Sequence, residues 1–398
     1  VQRKITLSLI EVINNHTIRV WCSLHFIIPN NIIIMSQSDI VLTIRQELGS
    51  IIDPDFNQTF DELQAIHTLE VKQETSVELY LEFIPPLHYV AKDFDDKCKE
   101  IIKKHLPEAE IYIYVREKEL PPNPVLPGVQ NLIAVASGKG GVGKSTVAAN
   151  LAISLAHKGA KVGLLDADIY GPSVPTMFGL AGEQMKAEKK DDGKIYGYPF
   201  EQYGVSVASI GFVMGRDQAA ILRGPMLAGY FTTLVDQIYW GDLDYLIFDL
   251  PPGTGDIQLT MTQRIPLSGA VIVTTPQEIS LTDVRRSISM FRKVNVNILG
   301  IVENMSYFIP PDMPEKRYDI FGSGGGQRVA TEVGTKLLGQ VPIIMKIREN
   351  ADEGLPFVAD PESGDGAKYY TDIAKNMVTE VRKQNKEKVS SPGLTISL

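Results

Sequence analysis

Cysteine is nearly absent from this 398-residue sequence: Cys22 and Cys98 are the only two. Two thiols exclude a disulfide framework, a four-cysteine zinc site and a self-contained four-cysteine iron–sulfur cluster within one chain. The count suits a reducing compartment. Long apolar runs are missing too. The nearest, Leu24 to Ile34, is broken by Pro29, Asn30 and Asn31 and falls short of the roughly 18 residues of a membrane span. Nor is there an excess of positive charge. With 39 Lys and Arg against 48 Asp and Glu the net charge is −9, so no general field draws in a nucleic-acid backbone. Ordinary fractions of hydrophobic (44%) and charged (22%) residues exclude collagen-like and wholly disordered chains. There is no internal repeat, and the length predicts roughly two to three domains.

The chain divides at its prolines. Residues 1–35 read as an extension that contributes nothing to the fold. They open on Val1 and lead through Met35 into the polar run Ser36-Gln37-Ser38-Asp39. An organelle transit peptide is the other reading of this stretch, which holds Arg3, Lys4 and Arg19 against the single acid Glu11 but is poor in serine. A secretory signal fits less well, because Glu11, Asn14, Asn15 and His16 interrupt any apolar stretch.

Residues 36–116 have the pattern of a small α/β unit. Ile40, Ile44, Leu48 and Ile51 recur at helical spacing and stop at the turn Asp53-Pro54-Asp55. Val77, Leu79, Leu81 and Phe83 alternate with Glu78, Tyr80 and Glu82, which predicts a strand with one wet face. Phe94, Cys98, Ile101 and His105 share one side of a helix, and 111–115 reads as a closing strand. Residues 117–130, with Pro121, Pro122, Pro124 and Pro127, form a stiff linker. From 131 to 382, short β-rich runs alternate with helical stretches, which predicts a doubly wound, mostly parallel α/β sheet. Residues 383–398 are polar and carry Pro392-Gly393, so disorder is expected there.

The strongest signal is a phosphate loop. Gly138-Lys139-Gly140-Gly141-Val142-Gly143-Lys144-Ser145-Thr146 matches G-x-x-x-x-G-K-[ST]. It lies between a buried-strand run, Leu132 to Ala136, and a helical stretch, Lys144 to Ala156, which is the context the motif requires. Glycines let backbone N–H groups close around phosphate oxygens where side chains would block approach. Lys144 reaches the terminal phosphates, and the Ser145 hydroxyl can ligate Mg²⁺. A second lysine in the loop, Lys139, is not needed for this cradle.

Further along, the apolar run Val162 to Leu165 ends at Asp166-Ala167-Asp168. Another, Tyr245 to Phe248, ends at Asp249, ahead of Pro251-Pro252-Gly253-Thr254-Gly255-Asp256. Carboxylates at the C-terminal ends of parallel strands sit where such sheets bind ligands, and phosphoryl transfer needs them to hold Mg²⁺ and orient water. A single Asp after an apolar strand is an ordinary cap or turn residue; three in register behind a phosphate loop are a site.

With its second lysine, the loop resembles that of the deviant P-loop ATPase class containing nitrogenase iron protein, ParA, MinD and the Mrp/ApbC proteins. The segments Leu165 to Ser173, Arg223-Gly224-Pro225-Met226, Asp249 to Asp256, Glu303-Asn304-Met305-Ser306 and Ile320-Phe321-Gly322 are most similar to Mrp/ApbC. The resemblance covers about Pro127 to Val381. The unit before it resembles the iron–sulfur assembly accessory domain often fused ahead of Mrp ATPases, with Asp53-Pro54-Asp55 as its acidic turn. The resemblance implies ATP on residues 138–146 and Mg²⁺ held by Ser145, Asp166 and Asp249. It further implies a water positioned by Asp168, Lys144 on the phosphates, and Lys139 crossing a homodimer to the partner's nucleotide. Asn304 would contact the adenine.

Mrp/ApbC carriers usually place a C-x-x-C pair shortly after the Asn-Met-Ser, and two such pairs share one [4Fe–4S] cluster. Here those positions are Pro310 and Met313, which supply no thiolate. The accessory domain often has a cysteine after its second strand, but Ile84-Pro85-Pro86-Leu87-His88 has none. His88 is a lone loop histidine, and Cys98 reads as a core residue. The expected activity is therefore a slow, Mg²⁺-dependent ATPase in iron–sulfur cluster assembly or transfer. Its expected partners are scaffold or client apoproteins rather than nucleic acid or membrane, and its expected place is the cytoplasm, or stroma or matrix if residues 1–34 are a transit peptide. The alternative is a ParA- or MinD-like positioning ATPase acting on DNA or membrane. Against it, Ile373, Ala374, Met377 and Val381 form a helix face suited to packing within the domain. An adaptor or scaffold with slow ATPase activity is a third reading.

Overall fold

The computed structural model describes residues 37–390 apart from 73–74, 169–170, 192, 214–228, 230 and 232–233. The extension with Cys22, the segment 223–226 and the last eight residues lie outside the described residues.

The first unit runs α1 (Gln37–Gly49), β1 (Ile52–Asp53), β2 (Gln58–Thr59), β3 (Ile66–Lys72), β4 (Ser76–Phe83), α2 (Ala91–His105) and β5 (Glu110–Glu117). Its helices bury Ile44 and Leu48 from α1 and Phe94, Cys98 and Ile102 from α2, one turn apart as an apolar stripe requires. The sheet order is β3-β4-β5, antiparallel and then parallel, with α2 as the crossover between the parallel pair. Val77, Leu79, Leu81 and Phe83 point into this core, where Phe60, Phe83 and Phe94 meet with ring centroids 4.8–5.1 Å apart. The short β1–β2 hairpin around Asp53-Pro54-Asp55 was not foreseen, since two-residue strands leave no periodicity to read.

The second unit begins with β6 (Val129–Ser137), α3 (Lys144–Ala156), β7 (Val162–Asp166), α4 (Val174–Met177) and the hairpin β8 (Ala187–Lys189) and β9 (Ile195–Gly197). It continues through β10 (Phe200–Gln202), β11 (Val205–Ser209), β12 (Leu243–Asp249), α5 (Asp256–Arg264), β13 (Gly269–Thr274) and α6 (Glu278–Lys293). It ends with β14 (Ile298–Glu303), α7 (Gly325–Val333), β15 (Leu337–Gln340), α8 (Met345–Glu353) and α9 (Ala367–Ser390). Among the described residues eight strands form one sheet in the order β10-β11-β7-β12-β6-β13-β14-β15, of which only β10 runs antiparallel to its neighbour. Alternate residues of β6 serve opposite faces. Ile133 and Val135 pack with α3 and α9, while Leu132, Ala134 and Ala136 pack with α6 and α7. Burial on both faces explains why these strands read as continuous apolar runs.

Two boundaries differ from the expected ones. The connector is shorter than 117–130, because β5 runs to Glu117 and β6 begins at Val129. The tail from Lys383 is not disordered as far as Ser390, because α9 continues through it. The reason is long-range. Arg382, fully buried on α9, places its guanidinium on the acidic turn of the first unit, with Nη2 2.7 Å from Asp53 Oδ2 and Nη1 bonded to Asp55. Its Nε donates to the Ile84 carbonyl (3.2 Å), and the group lies over the Phe56 ring. Asn385 Nδ2 donates to Pro85 O (3.1 Å), and Lys386 bonds to Gln58. A sequence that looks like a solvated tail is helical because the first unit covers it.

Asp53 is as buried as Arg382, so removing the cation would leave a carboxylate without compensation. Arg382→Ala should cost about 3–5 kcal/mol in urea unfolding. Arg382→Lys should recover only part of that loss, since an ammonium cannot reproduce the fork. A loss within experimental error for Arg382→Ala would contradict the clamp.

Candidate functional site

The site lies at the C-terminal edge of the large sheet, where β6 turns into α3. Two glycines show why the loop needs this composition. Gly143 has φ +81°, and a Cβ there would sit 2.2 Å from Asn304 Nδ2; a Cβ on Gly138 would sit 2.4 Å from the Asp283 carbonyl carbon. The loop is tied down from three sides. Ser137 Oγ donates to Lys139 O (2.9 Å), Asn304 Nδ2 donates to Val142 O (2.9 Å), and Gly253 N donates to Ser137 O (2.9 Å). Among the described residues no side chain caps α3, and no acid occupies its first turn, so its first N–H groups face the loop's concavity as an anion site.

Beneath the loop is a buried charge node. Lys144, 6% exposed, donates from Nζ to Asp249 Oδ1 at 2.5 Å; Ser145 Oγ is 3.3 Å away and Asp168 Oδ2 3.8 Å. Strand register aligns the acids: Asp249 pairs with Asp166, and Asp166 with Ser209, across β12, β7 and β11. Asp166 is fully buried. Its Oδ1 accepts from Asp168 N (3.1 Å), and its Oδ2 accepts from Val174 N (3.2 Å) and Ser209 Oγ (3.1 Å). Burial first, and then the charge of Asp249, push its carboxyl up to about 8, while Lys144 pulls it down. Asp249 Oδ2 has no hydrogen-bond partner among the described residues.

An orphaned, buried carboxylate oxygen beside a second buried acid and a hydroxyl is a donor set for a hard cation. Among the described residues no three His, Cys, Asp or Glu side chains are arranged to hold a metal ion. A Mg²⁺ held here would therefore complete its shell with phosphate and water.

Lys139, Lys144, Ser145, Asp166, Asp168, Asp249 and Asn304 thus gather around one loop. Two of them sit differently from what a nucleotide contact alone would suggest. Lys139 points to the start of α6, with Nζ 3.4 Å from Gln277 Oε1. The Asn304 amide is spent on the loop itself. Ser209 carries no signal of its own in the sequence, and Glu303 is read there only as part of the Glu303-Asn304-Met305-Ser306 segment. Ser209 holds Asp166, and it closes an apolar run much as Asp166 and Asp249 do. Buried Glu303 accepts from Ser306 Oγ (2.5 Å), Gly326 N (2.5 Å) and Gln340 Nε2 (2.6 Å), which fixes the backbone that carries Asn304.

The segment 307–317 is an ordered loop. Phe308 and Tyr318 exchange backbone hydrogen bonds of 2.8 Å, and Met313 N donates to Pro310 O (3.1 Å). Arg317 stacks on the Tyr307 ring at 4.0 Å. Cys98 is buried on the inner face of α2 and its thiol is pushed up to about 12 by burial, reinforced by Asp95, so it stays protonated. His88 Nε2 lies 3.4 Å from Asp244 at the contact between the units.

A family model described as ParA, NUBPL iron-transfer P-loop NTPase, matches residues 128–378. A protein of Synechocystis named iron-sulfur cluster carrier protein is 45% identical over 353 residues, 87% of this chain and 98% of that protein. That span is too long for the large unit alone. An Arabidopsis protein named iron-sulfur protein required for NADH dehydrogenase, mitochondrial, is 49% identical over 64% of this chain and 79% of its own length. Among solved structures, a nucleotide-binding protein of Archaeoglobus fulgidus in complex with ADP is 39% identical with a TM-score of 0.50. That match covers 57% of this chain and 87% of the other.

The node has a pH signature. Because the folded pKa of Asp166 is raised, its contribution to stability is complete below the ordinary carboxylate range and is lost as pH climbs through about 8. Asp166→Asn should therefore flatten the fall in thermal stability of the nucleotide-free protein between about pH 5 and pH 9, and raise its melting temperature at the alkaline end. Parallel curves for the two proteins would contradict the assignment.

Proposed function

This chain belongs to the NUBPL iron-transfer P-loop NTPases of the ParA class, and on that premise we propose that it is a Mg²⁺-dependent ATPase whose turnover drives iron–sulfur cluster transfer between a scaffold and client apoproteins. The observation that carries the reading is the Lys144–Asp249–Asp166 node under the uncapped end of α3. Without nucleotide, Asp249 neutralises Lys144. When the β- and γ-phosphates enter, the ammonium would turn to them, and Asp249, Asp166 and the Ser145 hydroxyl would be the groups to hold Mg²⁺. Bound Mg²⁺ supplies charge neutralisation on the phosphates. Asp168, 3.8 Å from Lys144, positions the attacking water. Residues 138–146 wrap the phosphates, and Asn304 braces the loop on its adenine side.

Lys139 lies outside its own charge node, and in this reading it completes the nucleotide site of a second subunit. Hydrolysis would then alter dimer geometry, at a slow turnover set by that rearrangement. The setting is the cytoplasm, or the stroma or matrix of an organelle. No helix among the described residues is long and apolar enough to cross a membrane. The apolar face of α9 is buried within the fold at Ile373, Ala374, Met377 and Val381, so these residues pack the domain. The cargo would be held by ligands other than Pro310 and Met313, or by a partner.

Lys144→Ala should abolish ATP hydrolysis, and unchanged turnover would remove the nucleotide assignment. Lys139→Ala should lose hydrolysis yet still bind nucleotide. Mixed with Asp168→Ala it should regain partial activity, because one composite site in the heterodimer keeps both residues. No gain in demonstrably formed heterodimers would refute the shared site.

For the cargo, anaerobic reconstitution followed by iron and sulfide counts and Mössbauer spectroscopy should find no stable [4Fe–4S] cluster on the segment 307–317. Changing Pro310 and Met313 together to Cys should create or strengthen iron binding there. A stoichiometric cluster that survives loss of both Cys22 and Cys98 in the otherwise unmodified chain would overturn this part of the account.

A further inference from the structure

The small unit carries the whole charge imbalance of the chain. Residues 37–117 hold 17 Asp and Glu against 8 Lys and Arg, while the remaining residues balance at 31 of each. This charge surrounds an unusual surface. The sheet β3-β4-β5 packs one face on α1 and α2, and among the described residues no helix covers the other. On that open face Tyr80 of β4 is in register with Tyr114 of β5, and their rings stack with centroids 4.7 Å apart and planes within 18°. Tyr112 lies opposite Glu78 on the same face. The three tyrosines are 37%, 47% and 46% exposed in the order Tyr80, Tyr114, Tyr112.

Glutamates frame this platform. Tyr112 OH donates to Glu110 (3.0 Å), and Glu70 pairs with Glu78 across β3 and β4. The two cations on the face are both held by its own acids, Lys72 by Glu78 at 2.6 Å and Arg116 by Glu82 at 2.7 Å. The face thus already binds one guanidinium at its edge.

We propose that the open face of this sheet is a docking surface for a basic, arginine-bearing segment of a partner polypeptide, whose guanidinium groups lie over the Tyr80–Tyr114 pair and bond to the flanking glutamates. An exposed cation is attracted to an aromatic face by the ring quadrupole, and carboxylates at the rim add charge-assisted hydrogen bonds. The acidity of the whole unit steers such a segment toward the face. Arginine fits better than lysine because its planar group stacks on the rings. The same charge repels nucleic-acid backbones and anionic bilayers. The proposal is independent of the nucleotide chemistry and survives its failure.

The test is fluorescence anisotropy of labelled nona-arginine, nona-lysine and nona-glutamate peptides with the whole chain, at about 50 and about 300 mM salt. Nona-arginine should bind most tightly and nona-glutamate not at all. Y80A/Y114A should weaken nona-arginine binding about fivefold or more, with circular dichroism and ATPase activity unchanged. A charge-removing control on the helical side of the unit, Asp95→Asn with Asp96→Asn, should change it less than about twofold. Equal weakening by the control, or equal affinity for lysine and arginine peptides, would reduce the effect to diffuse attraction and overturn the proposal. So would the absence of nona-arginine binding at low salt.

Discussion

The contact between Lys144 and Asp249, with Asp166 one strand away, is the constraint around which the large unit is arranged. Two carboxylates and one ammonium buried at the rim of a parallel sheet are costly to desolvate, and nothing about packing requires them. Their cost is met locally. Asp166 takes hydrogen bonds from Val174 N, Asp168 N and Ser209 Oγ, and Lys144 is paired at 2.5 Å. One oxygen of Asp249 has no hydrogen-bond partner among the described residues. The raised pKa of Asp166 expresses the same cost, first through its burial and then through the charge of Asp249, which Lys144 offsets only in part.

The rest of the structure keeps this node in place. Glu303, with three short hydrogen bonds, fixes the turn that carries Asn304, and Asn304 holds the phosphate loop at Val142. At the other end of the molecule Arg382 performs a similar service between the units, clamping the Asp53-Pro54-Asp55 turn to α9. The acidic turn of the small unit is thereby consumed inside the chain. What that unit offers to other molecules is its open sheet face, so its negative charge and its tyrosines act together on the outer side.

Most of the site was legible in the sequence because its signals are local. Glycine spacing, the lysine–serine pair after it, and acids that end apolar runs all follow from backbone geometry over a few residues, and α3 spans Lys144–Ala156 as its pattern predicts. What escaped was long-range. Ser209 is chemically quiet in sequence and gains meaning only when β11 pairs with β7. Arg382 lies 329 residues from Asp53, and the polar stretch after it has the composition of a tail. Asn304 was legible as a site residue, but its hydrogen bond to Val142 was not, because that contact depends on how β14 ends beside the loop.

The most direct test of the central claim is whether metal and nucleotide need each other in the node. Thermal unfolding of the whole chain should be followed with Mg²⁺ alone, ADP alone and both together. The account predicts little stabilisation by Mg²⁺ alone, a modest gain with ADP, and a gain with both that clearly exceeds the sum, because Lys144 leaves Asp249 only when phosphate replaces it. Equal stabilisation by ADP with and without Mg²⁺ would contradict the account and leave Asp166 and Asp249 as structural acids.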